Sequence, residues 1–174
     1  MISIGTSRSG DPDIVVALID CHERIRRFVK VAIAIGNEAE AEDAEVVEAA
    51  ERIERYFRDA LPRHIQDEEE TVLPHLSGVG GAELHDALAA MEHEHDAHEP
   101  MIARLLEALV ALRAEPASPA RRASVGAAAT PLQVAFDSHL RLEEELIFPA
   151  IHAHLSVADR SAMLAEHRAR RRTP

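Results

Sequence analysis

One segment of this chain occurs twice. HIQDEEETVLP at residues 64–74 is matched by HLRLEEELIFP at residues 139–149. In each copy a His stands four residues before the first of three Glu, and a Pro closes the segment ten residues after the His. On an α-helix four residues turn the chain by about 400° and advance it by roughly 6 Å, so His64 shares a face with Glu68, and His139 with Glu143. Ordinary packing has no reason to repeat a nitrogen donor and a carboxylate at that spacing on two helices. The same wheel turns the remaining acids away: Glu69 and Glu144 lie about 140° round from their His, and Glu70 and Glu145 fall about 120° short of a second turn. All four are expected on solvated faces.

The rest of the sequence supplies a helical frame. Of the 174 residues, 47% are hydrophobic but only 3% aromatic, with no Trp, so the core is expected to be aliphatic. Strong helix formers dominate, and the expected class is all-α. Residues 1–10 read as a flexible lead-in and Asp11-Pro12-Asp13 as a helix start. Apolar periodicity predicts a first helix over 12–35 ended by Gly36-Asn37, and a second over 41–76 that Pro62 should kink or break just before His64. A third is predicted over 82–114, interrupted at Pro100, and a fourth over 120–154 with Pro131 near its middle. A short helix over 157–170 closes the chain. The loops are SGVGG at residues 77–81 and EPASP at 115–119. The default architecture is an antiparallel up-down-up-down four-helix bundle over residues 11–155, followed by a C-terminal helix and basic tail over 156–174.

The spacing hints at a duplication: His22 precedes His64 by 42 residues and His95 precedes His139 by 44. Each half would be one helix with a His and one with His-x-x-x-Glu. A pseudo-twofold axis would then bring His22, His64, His95, His139, Glu68 and Glu143 to the bundle centre as candidate metal ligands. Six donors exceed what one tetrahedral zinc uses and suit two octahedral ions. Imidazole with carboxylate favours iron, then manganese, then a mixed pair. Tyr56, two turns before His64, could reach the site but is expected in the core, and Cys21 is expected to pack. His75, His85, His93, His152, His154 and His167 are expected on the surface.

Other classes are disfavoured. A net charge of −12 argues against nucleic acid. The basic run at Arg168 to Arg172 reads as a solvated helix end. A single cysteine excludes an internal disulfide framework. No leader-like segment and no apolar run of about 20 residues is evident, so a cytoplasmic protein without membrane contact is expected. No His-Glu-x-x-His signature supports a zinc hydrolase. A ferritin-type site needs Glu-x-x-His on two helices, and Glu92 with His95 is the single match.

Four stretches resemble the haemerythrin-like proteins, the HHE cation-binding domains: Asp20 to Ile25 on the first helix, residues 64–74, Glu94-His95, and residues 139–149. The resemblance spans roughly residues 12–170. It implies a four-helix bundle holding an oxo- or hydroxo-bridged non-haem diiron centre, with Glu68 and Glu143 bridging. Such proteins bind dioxygen, respond to nitric oxide or peroxide, or sense or store iron. The chain departs from oxygen carriers, which have His-x-x-x-His on the third helix; here Met91 and Glu99 flank His95. Their His-x-x-x-x-Asp bridge would formally match Glu144, whereas geometry and repeat favour Glu143. His98, Glu99, Glu144 or water could complete the coordination. The expected function is handling of a small oxidant (dioxygen, hydrogen peroxide or nitric oxide), with catalase-like turnover as one form, by a monomer or homodimer served by an unidentified electron donor. The alternative is iron binding, sensing or storage without turnover.

Overall fold

The computed structural model describes residues 13–37 and 41–172. The proposed lead-in over 1–10 and the Asp11-Pro12 helix start lie outside the described residues. Helix α1 is Ile14–Asn37. Helix α2 runs over residues 43–76, α3 is Ala82–Ala114, α4 runs over residues 119–154, and α5 is Val157–Arg170. Among the described residues there is no strand. The bundle closes as a ring, because α1 packs on α2 and α4, and α3 packs on α2 and α4. The short connections between neighbours make them antiparallel. Asp13 starts α1 by accepting a 2.9 Å hydrogen bond from the Val15 amide. Ser118 caps α4, and Ser156 with Asp159 forms a reciprocal capping box on α5. Gly80, at φ +78°, is the one left-handed turn residue among the described glycines.

Two helices are not uniform. Helix α2 widens into π turns at Tyr56–Ala60 and Glu68–Val72, and α4 does so at Glu143–Ile147. Each π turn is followed two positions on by a proline: Pro62, Pro74 and Pro149. A proline ring clashes with the carbonyl four residues back, and here that carbonyl (Arg58, Glu70 or Glu145) lies in the widened turn. Pro62 therefore does not break α2. Nor does Pro100 interrupt α3, contrary to the sequence expectation; α3 continues straight through it. Pro100 and Asp96 are both exposed, so water can take the carbonyl that the proline leaves without a donor. Gly36 and Asn37 are the last residues of α1, as expected, and Gly36 has a second use: a Cβ there would come within 2.7 Å of Gly126 Cα on α4, so its smallness also serves a close helix crossing.

The core is split in two. One apolar cluster contains Ile25, Val29, Ile53, Phe57, Leu105, Leu109, Leu132 and Phe136 among others. The second contains Leu18, Val72, Leu76, Leu88, Met91, Ile147, Phe148 and Met163. On every helix of the bundle the sequence passes from one cluster to the other through a buried polar position. Helix α5 supplies Met163 and Leu164 to the second cluster and packs on α1 and α2.

Candidate metal centre

The layer between the two cores is built from one or two side chains per helix. Helix α1 gives His22, α2 gives His64 and Glu68, α3 gives His95, and α4 gives His139 and Glu143; all six are buried. The π turns start at Glu68 and Glu143, so the repeat extends to the backbone that presents the two carboxylates. The donor atoms fall into two groups, each within 4.8 Å of one another: His22, His64, Glu68 and Glu143, and Glu68, His95, His139 and Glu143. Both carboxylates belong to both groups.

The distances show how they are shared. His22 Nε2 lies 3.0 Å from Glu143 Oε2, and His64 Nε2 lies 3.0 Å from Glu68 Oε1. On the other side His95 Nε2 is 3.2 Å from Glu68 Oε2, and His139 Nε2 is 3.3 Å from Glu143 Oε1. Each carboxylate thus turns one oxygen to each pair of histidines. Yet the Nε2 atoms of His22, His64 and His95 and all four carboxylate oxygens are buried without a hydrogen-bond partner. Close approach without hydrogen-bond alignment means that the lone pairs converge on points between the residues. Leaving so many polar atoms buried and unpaired is costly. Two donors about 2.1 Å from a common ion at near right angles would stand roughly 3 Å apart, which matches the spacing. The residues present fit a pair of cations.

The outer nitrogens fix which tautomer faces inward. His22 Nδ1 donates to Glu144 Oε1 at 2.8 Å, His95 Nδ1 to Glu69 Oε1 at 2.9 Å, and His139 Nδ1 to Glu94 Oε2 at 2.9 Å. A carboxylate only accepts, so each Nδ1 carries a proton and each Nε2 is the nitrogen turned to the interior. Arg26 grips Glu144 with both Nη atoms, at 2.8 and 3.0 Å. His64 is the exception, because its neighbour is the Cys21 thiol. Without a cation, burial works against the charged form of His22, but Glu143 and Glu68 outweigh it and push the imidazole up to about 9, so a proton competes with a cation for Nε2. Burial likewise opposes ionisation of Glu68, while His64, His22 and His95 pull its carboxyl below the usual range.

Glu69 is exposed as expected and Glu144 is half-buried, but each also bonds a histidine of the layer, a role that the sequence reading did not give them. An offset of about 140° from their own His aims them into the grooves between helices, where the outer nitrogens of His95 and His22 lie. The signal was present, since both copies of the repeat place a second Glu immediately after the shared one. Glu94 had been noted only as part of the resemblance and given no role. Glu70 and Glu145 are on the surface as expected.

Candidates for further ligation fall outside both groups. Glu99 is exposed. His98 is buried against the Phe136 and His139 rings, at 4.9 and 5.0 Å, and burial with the adjacent His139 lowers it to about 4. Met91 is buried in the apolar core. Tyr56 stacks on Phe28 at 4.3 Å, and its hydroxyl makes only a 3.4 Å contact to the Cys21 carbonyl. Cys21 is buried, and Arg171 Nη2 lies 3.7 Å from its sulfur. Burial raises that thiol, but His64 and Arg171 more than offset it, so the net shift is downward.

The C-terminal helix closes this side of the layer. Buried Asp67, next to Glu68, accepts from His167 Nδ1 at 3.0 Å, Arg170 Nη1 at 2.9 Å and Arg171 Nη2 at 2.7 Å. This corrects two expectations. His167 is buried, not a surface residue, and the basic tail is not simply a solvated end. A buried carboxylate needs compensating charge, and α2 places Asp67 within reach of the tail. His85, His93, His152 and His154 are exposed and His75 is half-buried.

The Hemerythrin HHE cation binding domain matches residues 13–151, and the chain belongs to that family. No curated protein matches the chain. Among the described residues no helix is long and apolar enough to cross a membrane.

Proposed function

We propose that this haemerythrin-family chain holds two iron ions and reacts with a small oxidant, namely dioxygen, hydrogen peroxide or nitric oxide. His22 and His64 would hold one ion and His95 and His139 the other, with Glu68 and Glu143 shared between them. The observation that carries the reading is the set of buried, unpaired Nε2 and carboxylate atoms that approach within about 3.0–3.8 Å without bonding. Two imidazoles and two half-shares of carboxylate favour iron over zinc or calcium. Manganese is the next fit.

When bound, an iron pair supplies reversible one-electron chemistry and open positions for a small molecule. The chain's own residues do the rest. Glu144, Glu69 and Glu94 hold the imidazole rings and keep their protons on Nδ1, which strengthens donation from Nε2. The aliphatic cores above and below exclude bulk water. Four protein donors in each cluster are fewer than the six an octahedral ion takes, which leaves room for an external ligand.

A second reading, an iron sensor without turnover, is favoured by one observation. Asp67 is adjacent to Glu68 and is gripped by two side chains of α5, His167 and Arg170, and by Arg171 just beyond it. Changes in occupancy of the layer would therefore be felt at the chain's last helix. The test is metal analysis of protein from iron-supplemented cells, with absorption spectra before and after each oxidant. About two irons per chain and a spectral change with one oxidant support the leading reading. Two irons with no spectral response favour the sensor, and no metal or a single zinc sinks both.

A further inference from the structure

The layer is enclosed on most sides but approached on one. A cleft of about 320 Å³ between α2 and α3 has His95 at its base. Its walls are apolar at Ile65 and Ile102, and three carboxylates, Glu69, Asp96 and Glu99, stand round it. All three acids are exposed. Among the described residues, Asp96 and Glu99 take part in no ion pair, so their charge is not neutralised locally. His95 is only 7% exposed and lines this cleft with its Nδ1 bonded to Glu69, while its partnerless Nε2 faces Glu68 in the layer behind. The depressions over the His22 side differ in sign. One is lined by Arg26, Arg27 and Lys30 beside Glu23, and another by Arg168, Arg171 and Arg172 beside two aspartates.

We infer that the acidic cleft is the path by which divalent cations reach the centre. The inference rests on the metal-holding reading above. Charges of one sign lining a cleft with low-dielectric walls focus the field inward and raise the local concentration of the opposite ion. A hydrated cation would meet Asp96 and Glu99 first, then Glu69 and the His95 ring bonded to it, with His95 Nε2 on the far side of that ring facing the layer. The depressions on the far side mix acids with cations, of which Arg26 and Arg171 are already paired to Glu144 and Asp67, and so offer a cation no such focus. Glu99, which is not within reach of the buried cluster, thereby acquires a role.

The experiment is stopped-flow uptake of Co²⁺ by the metal-free full chain, followed by visible absorption. At low ionic strength D96N/E99Q should load about tenfold more slowly than the parent and reach the same number of ions. The difference should shrink at about 1 M salt, where the screening length falls to roughly 3 Å. I102W, which narrows the wall without changing charge, should slow loading at every salt concentration. The control E23Q/E45Q removes two exposed charges elsewhere and should load like the parent. Parent-like loading by D96N/E99Q, or equal slowing by E23Q/E45Q, would overturn the path while leaving the metal centre standing. Failure of the parent to bind Co²⁺ at all would overturn the centre and the path together.

Discussion

The two halves of the candidate centre carry the same donors in different surroundings. On one side His22 and His64 lie under α5, with Arg26 neutralising the Glu144 behind His22 and Arg171 standing beside the Cys21 that faces His64. On the other, His95 and His139 are backed by Glu69 and Glu94, with no cation paired to either acid among the described residues, and His95 opens on a cleft. An internal repeat can fix which atoms point inward, because that depends on spacing along each helix. It does not fix what lies behind them, because that depends on which neighbour each helix meets. The His22 half is thus sealed and flanked by positive charge, and the His95 half is open and flanked by negative charge.

The largest effects should come from breaking what the halves share. Glu68→Gln or Glu143→Gln removes a charged oxygen from both groups, and metal content should fall from about two ions per chain to near zero, because metal binding depends on deprotonated ligands. His22→Ala or His95→Ala damages one group and should leave about one ion. Elemental analysis of the purified variants separates the cases. If single-histidine and shared-carboxylate variants lost the same amount of metal, the two groups would not be distinct positions.

Next in size is the clasp that only the His22 side possesses. Asp67→Asn removes the carboxylate that holds His167, Arg170 and Arg171. Breaking a fully buried pair costs roughly 3–5 kcal/mol; Arg170 and Arg171 can turn to water, so about 2–3 kcal/mol is expected here. For a chain of this size that is a fall of roughly 5–10 °C in Tm. Thermal denaturation checks it, and a shift below about 2 °C would mean that α5 is held by Met163, Leu164 and the Thr71–Glu166 hydrogen bond and not by the clasp.

A smaller contrast lies in the outer carboxylates. Glu69→Gln and Glu144→Gln each exchange an ionised acceptor for a neutral amide behind one histidine, and losses of about 10–100-fold in metal affinity are typical of such changes. Glu144→Gln should be the milder of the two, because Arg26 already withdraws part of the charge that Glu144 offers His22. Arg26→Met should then tighten the ion on that side by a few-fold. Competition with a chelator of known affinity measures all three. The reverse order would show that Arg26 acts by holding Glu144 in place more than by neutralising it.

These contrasts also mark where the sequence was readable. The helix spans follow from aliphatic periodicity and capping residues, which are local, and the structure reproduces them to within two or three residues. The six donors gathered in the buried layer are those picked out by the duplicated His-x-x-x-Glu and its equally spaced partners. What stayed hidden was relational. A wheel drawn on one helix shows Glu69 leaving His64, and cannot show that the direction leads to His95 on another helix. In the same way nothing in Arg170-Arg171 distinguishes a solvated tail from a clasp until α2 places Asp67 beneath it. Pro74 and Pro149 were visible as punctuation, but Pro100 and Pro131 sit in unbroken α-helix, so a proline alone does not announce a π turn.

Tyr56 offers the smallest test, on the sealed side. Its ring is stacked on Phe28 and edged against Phe57, and its hydroxyl reaches only the Cys21 carbonyl, at the long limit of a hydrogen bond. A net hydrogen bond of good geometry contributes about 1 kcal/mol, and this one should contribute less. Tyr56→Phe should therefore lower stability by under about 1 kcal/mol and leave metal content and spectrum unchanged. Cys21 links Tyr56 to His64, so a spectral change in this variant would mean that the hydroxyl acts on the centre through that link. The sealed half would then have an outer partner of its own, equivalent in function to the carboxylates that back His22, His95 and His139.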